Sequence, residues 1–246
     1  MEHVQPTITV AITGASGAFG QALLRQWQRR GARLIALTHG EAPLLVAQST
    51  GEAVALEQVR WQVGREADLR PTLEAVDVLV INHGINPHGQ RSAAASERAL
   101  EINALSAWRL LELFAEVVEQ RQSAAAAPGP DRPRAEVWLN TSEAEIQPAI
   151  SPLYELSKRL LGQLLSLRSL DLADRLRLRR LVLGPFRSAL NPIGVMTADW
   201  VAGQVLRQAV DWNCSLVIVS PNPLTYVLMP LTTLSRWVYF RLTTHP

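Results

Sequence analysis

A chain of 246 residues, 48% hydrophobic and 19% charged, has enough apolar material for a substantial core, fits one large α/β domain or two small ones, and excludes wholesale disorder. A net charge of +2 and a pI near 9.1 would admit a nucleic-acid partner, but acidic and basic residues are interspersed and no basic run carries interleaved aromatics, so no nucleic-acid footprint is indicated. The single cysteine, Cys214, cannot make an intrachain disulfide or a zinc site; it points to a reducing compartment, with the thiol expected in the core, and no metal is implied.

The opening MEHVQPTITVAITG lacks a basic leader region and enters a strand pattern at once. No stretch reaches the roughly 18 uninterrupted apolar residues of a membrane span, and the expected location is cytoplasmic. Residues 7–12 predict a buried strand and 18–31 a helix closed by glycine. Strands follow at 33–38, 57–63 and 77–82, then a long helix over 96–120. A strand at 135–140 leads to a second long helix over 151–170, with Ser151 as its cap and Pro152 in its first turn. Strands at 176–184 and 215–220 flank a helix from about 198 to 212. The low-complexity stretch 123–134 reads as a surface excursion within one alternation. Seven apolar strands alternating with helices predict a single doubly wound α/β domain of Rossmann type, a seven-stranded parallel sheet with helices on both faces. Residues 221–246 form an apolar C-terminal extension.

The first strand runs through TGASGAFG (13–20) into a helix, the context in which a glycine pattern signals a dinucleotide. Gly14 makes the tight turn, Gly17 lets a diphosphate approach the backbone and Gly20 lets the helix pack on the sheet, with Ser16 and Phe19 completing the cofactor-binding turn. At the tip of the second strand stand Thr38 and His39. The nearest acid, Glu41, lies beyond a glycine, so no carboxylate is placed to repel a 2′-phosphate. NADP(H) is therefore favoured, and NAD(H) stays open because no arginine sits at that tip.

Lys158 is the only lysine in the chain; every other one of its 24 basic residues is arginine. It lies four residues after Tyr154 on one helix face. A phenol is a poor proton carrier at neutral pH, and a nearby ammonium favours its phenolate. The compact head of lysine fits between a phenol and ribose hydroxyls better than a guanidinium fork does.

Taken together, TGASGAFG, NHG (82–84), Asn103, NTS (140–142), YELSK (154–158) and LGPF (183–186) resemble the short-chain dehydrogenase/reductase family over residues 7–220. The resemblance implies that Tyr154 is the general acid/base and that Lys158 holds the nicotinamide ribose and lowers the tyrosine's pKa. It implies that Ser142 bonds the reacting oxygen and that Asn103 holds a water relaying protons from Lys158. Asn82 and Gly84 would shape the cofactor wall, and Pro185, after Gly184, would meet the nicotinamide. Four positions depart from the pattern of the compact branch. Glycine stands at Gly17 rather than at Ala18, the spacing of the extended branch. His83 replaces an alanine. Ser142 precedes Tyr154 by twelve residues where thirteen, the spacing of Thr141, is commoner, and the hydroxyl assignment stays open between the two. Gln62 and Val63 stand where an aspartate usually meets the adenine, and Asp68 is expected to start the next helix.

The expected function is an NAD(P)(H)-dependent interconversion of a small-molecule carbonyl and secondary alcohol. A cofactor-binding sensor or scaffold without turnover is the alternative. A sugar-nucleotide epimerase or dehydratase fits the Gly17 spacing but lacks C-terminal length for a nucleotide-sugar domain. The tail, carrying only Arg236 and Arg241 as charges, reads as a short apolar helix. Pocket cover or a homo-oligomer contact ranks ahead of peripheral membrane contact through 223–241, which would favour a lipophilic substrate.

Overall fold

A computed structural model describes residues 7–47, 52–124 and 133–245. The first six residues of the opening stretch and most of the low-complexity stretch, 125–132, lie outside them. Strands β1 (Thr9–Thr13), β2 (Arg33–Thr38), β3 (Glu57–Arg60), β4 (Val78–Ile81), β5 (Glu136–Asn140), β6 (Arg177–Leu183) and β7 (Leu216–Val219) form one sheet in the order β3-β2-β1-β4-β5-β6-β7, all neighbours parallel. Strand order reverses between β1 and β4, and the carboxyl ends beside that switch are where such sheets bind ligands.

Side-chain alternation splits the core in two. Val10, Ile12, Leu34 and Ala36 face one layer with α1 (Ala18–Gln28) and α6 (Ala198–Leu206), where Trp27 and Trp138 meet at 5.4 Å. Ala11, Ile35, Leu79 and Ile81 face the other, with α4 (Ser106–Ala124) and α5 (Pro152–Leu172). Both faces being covered explains why the strands read as continuous apolar runs.

Several elements differ from expectation. The helix predicted over 96–120 begins earlier, as α3 (Ala93–Leu100), where the Ser92 hydroxyl accepts from the Ala95 N–H at 3.2 Å. It then passes through a π-helical turn, Glu101–Leu105, before continuing as α4. A short helix, α2 (Arg70–Leu73), follows a 3₁₀ turn at Glu66–Leu69 that contains Asp68. Ser151 occupies the N-cap of α5, but its hydroxyl donates to the His88 carbonyl at 2.8 Å instead of capping the helix. Cys214 is only partly buried, at the edge of the α1/α6 core. The tail is not a short helix: α7 (Pro223–Thr243) runs for 21 residues and tolerates Pro230 within it. It packs on α5 and reaches the sheet through Met229, against Val182 and Ile218.

Candidate active site

The β1–α1 turn is built from the absence of side chains. Gly14 has φ +62°, and a Cβ there would lie 3.0 Å from the His83 Cα and 3.1 Å from the Asn82 carbonyl. A Cβ on Gly20 would lie 2.3 Å from the Gly14 carbonyl, so Gly20 packs on the turn itself rather than on the sheet. Gly17 is the N-cap of α1, its N–H bonded to the Gly14 carbonyl at 3.0 Å. The first helical bond is from the Gln21 N–H to the Gly17 carbonyl, leaving the amides of Ala18, Phe19 and Gly20 at the positive end of the helix. No side chain caps this end, and Ser16 and Gly17 are exposed beside it. The cradle fits the diphosphate of a dinucleotide. Phe19 is a correction: its ring is buried 5.5 Å from Phe186, so only its backbone can face a cofactor.

The end of β4 forms the adjacent wall. The Thr13 hydroxyl accepts from the N–H groups of Asn82 (2.8 Å) and His83 (3.2 Å). The His83 ring pairs with the same hydroxyl at 3.0 Å and lies edge-on to Trp61. Burial, aided by the Lys158 charge, pulls His83 down to about 3, so the ring is neutral at physiological pH and serves as packing. Asn82 accepts from the Asn140 amide at 2.9 Å, joining β4 to β5. Asn103, turned inward by the π turn, accepts from the Ile85 N–H at 2.7 Å and donates to the Ile85 carbonyl and to the Ser157 hydroxyl, each at 2.9 Å. It also packs against Gly84, where a Cβ would come 3.0 Å from its Oδ1. Its side chain thus holds the loop after β4 against α5.

Ser142, Tyr154 and Lys158 meet beyond β5. Ser142 has φ 68° and ψ 157°, a conformation normally reserved for glycine that costs about 1–3 kcal/mol and is held by its surroundings. Its hydroxyl donates to the Leu183 carbonyl at 3.3 Å and accepts from the Ala144 N–H at 3.3 Å, and it is close enough to the Tyr154 phenol to act on its ionisation. Thr141 is fully buried with its hydroxyl unpartnered, so the strained turn brings Ser142, not Thr141, to the tyrosine. Lys158 is buried; its ammonium donates to the Asn140 carbonyl at 2.8 Å and lies 5.6 Å from the centre of the Tyr154 ring. Burial lowers it to about 8, opposed by the charge of Glu145, so it remains largely protonated at neutral pH. Tyr154 is pushed above its ordinary value by burial, opposed by the Ser142 hydrogen bond; Lys158 is not among the groups that shift it. Pro185 continues from β6, its carbonyl accepting from the Val195 N–H at 3.0 Å.

Two groups escaped the sequence reading. Thr38 is buried, accepting from the Gln58 amide at 3.1 Å, and His39 is exposed; but register places Arg60 of β3 opposite Thr38, where it pairs with Glu41. An arginine does stand beside the β2 tip, supplied by the neighbouring strand. Behind Ser142, the buried Glu145 pairs with Arg180 at 2.7 Å and with Arg236 of α7, while Arg180 also donates to the Ser166 hydroxyl. An arginine doublet inside the apolar strand 176–184 was the one sequence signal for that cluster.

A model of the NAD dependent epimerase/dehydratase family matches residues 10–166. The chain is 43% identical over 234 residues to a monoglucosyldiacylglycerol epimerase of Synechocystis sp., covering 94% of this chain and 54% of that protein. It thus spans about half the length of the curated relative it matches. Among solved structures it resembles a short-chain dehydrogenase/reductase family oxidoreductase from Burkholderia thailandensis, with a TM-score of 0.72, 21% identity, and 92% and 97% of the two chains covered. It also resembles a short-chain dehydrogenase from Sphingobium yanoikuyae in complex with NADPH, with a TM-score of 0.70, 18% identity and 95% of each chain covered. These two likenesses bear on the fold.

Proposed function

The chain belongs to the NAD dependent epimerase/dehydratase family, and from that premise we propose that it inverts one secondary alcohol on the sugar of a glycolipid by way of a transient ketone. The observation that carries this reading is the buried Lys158 ammonium 5.6 Å from the Tyr154 ring centre, with the strained Ser142 hydroxyl acting on the same phenol, at the strand ends that also carry the glycine turn. The substrate class is supported by the relative that is named for a glucosyl-diacylglycerol.

The residues fit a nicotinamide dinucleotide: the amides of Ala18, Phe19 and Gly20 for the diphosphate, Asn82 and Gly84 for the wall, and the two remaining Lys158 donors for the ribose. Such a cofactor supplies the hydride acceptor and donor. Tyr154 Oη takes the proton of the substrate hydroxyl as the ketone forms and returns it when the alcohol is restored on the opposite face. The Ser142 hydroxyl, rotating its proton away from the Leu183 carbonyl, donates to the ketone oxygen. Lys158, anchored on the Asn140 carbonyl, serves by holding the ribose with its two remaining donors. Protons and hydride both return to the substrate, so no net oxidation occurs. NADP(H) is favoured, because Arg60 stands beside the β2 tip and its guanidinium can exchange the exposed Glu41 carboxylate for a 2′-phosphate.

Incubating the protein with glucosyl-diacylglycerol in detergent micelles and a substoichiometric amount of NADP, then hydrolysing and identifying the sugar, tests this. Epimerised sugar should accumulate without lasting absorbance change, and Tyr154→Phe should lower the rate about 10²–10⁴-fold while cofactor binding persists. Stoichiometric consumption of NADPH with ketones, and no inverted sugar, would instead establish a net carbonyl reductase.

A further inference from the structure

α7 has an outer face that neither the sheet nor the cleft uses. Its inner side holds Thr225, Met229 and the paired Arg236. Its outer side carries Leu224, Val227, Leu231, Leu234, Val238 and Leu242 at the spacing of a single helix face, 59% exposed at Leu231 and 78% at Leu242. At 1.5 Å per residue this stripe is about 27 Å long. Helices at the surface of a water-soluble domain turn their apolar side inward.

The geometry points to α7 as a helix that lies in the interface of an anionic bilayer, its stripe among the acyl chains and the cleft held at the lipid surface. The inference deepens the glycolipid reading, on which its purpose rests. Charge supports a lipid occupant: α7 has no acidic residue, and its exposed charge is Arg241, whose guanidinium lies over Trp237 at 5.3 Å. Tyr226, Trp237 and Tyr239 are exposed, and such amphipathic rings suit headgroup depth. No described helix is long and apolar enough to cross a membrane, so this one would lie on the surface. Apolar side chains are also exposed on the loops after β5 and β6, at Ile150 (94%), Ile193 (78%) and Val195 (70%). These loops leave the strand ends that also carry the Tyr154 site. The start of α7 is tied to the turn after Ser142, through Gln147 donating to Thr225 at 2.7 Å and Asn222 donating to Gln147 at 2.6 Å. Docking the helix therefore positions the catalytic loop.

The full chain is sedimented with phosphatidylcholine vesicles, with and without phosphatidylglycerol, at low and high salt. Co-sedimentation should rise with the anionic lipid and fall with salt, and Leu231→Glu should weaken it about tenfold while circular dichroism and NADPH binding match wild type. Leu242→Glu, at the far end of the stripe, is the second variant should the first misfold. Wild type indifferent to both vesicles overturns the inference. So does a dimer in light scattering that Leu231→Glu dissociates without any vesicle binding, which would assign the stripe to a second copy. Epimerisation separates the two readings. Micellar activity retained by Leu231→Glu with vesicle activity lost supports docking; vesicle binding by a wild type inactive in micelles sinks the glycolipid reading and leaves the docking intact.

Discussion

The β1–α1 turn and the β7–α7 connection both leave the carboxyl end of a strand and fold a helix back on the sheet, with opposite physics. At α1 the side chains Phe19, Leu23 and Trp27 are buried and bare backbone amides face outward. At α7 the inward contacts include Thr225 and Arg236, and leucines face outward. The first connection is fixed by what it leaves out, since one added methyl would strike backbone. The second is fixed by one buried apolar contact, Met229, and by a charge, Glu145, shared between a core strand and the terminal helix. A helix held by polar contacts is free to present apolar ones.

Breaking the second connection should have the larger effect. Glu145→Ala leaves Arg180 buried without its carboxylate, and the expected loss is about 3–5 kcal/mol in urea unfolding, with α7 becoming the first protease-sensitive segment. A loss below about 1 kcal/mol would mean that apolar packing alone seats α7. Gly20→Ala tests the first connection: the 2.3 Å approach to the Gly14 carbonyl must open, costing about 1–3 kcal/mol and weakening NADPH binding in a fluorescence titration. An unchanged titration would show that the turn can relax. Arg60→Ala sharpens the polar side most finely: NADPH affinity should fall about tenfold, near 1.4 kcal/mol, with NADH affinity unchanged. Equal losses for both cofactors would remove Arg60 from 2′-phosphate recognition.

Much of this was legible in the residues. The seven strands, the glycine turn and the Tyr154–Lys158 pair follow from spacing within a single element or its immediate neighbour. The details that differed did so for tertiary reasons: the π turn puts Asn103 between Ile85 and Ser157, and the His88 carbonyl takes the Ser151 hydroxyl.

The sequence by itself determined the sheet, its covered faces and the place of the dinucleotide cradle, because alternation, helical period and missing Cβ atoms act over a few residues. Only the tertiary structure chose Ser142 over Thr141, committed Asn103 to the loop, carried Arg60 to the tip of β2 and buried Glu145 between Arg180 and Arg236. Those outcomes depend on strand register, on a strained φ and on charges that find partners far along the chain, and burial makes such pairings decisive only once the layers have closed.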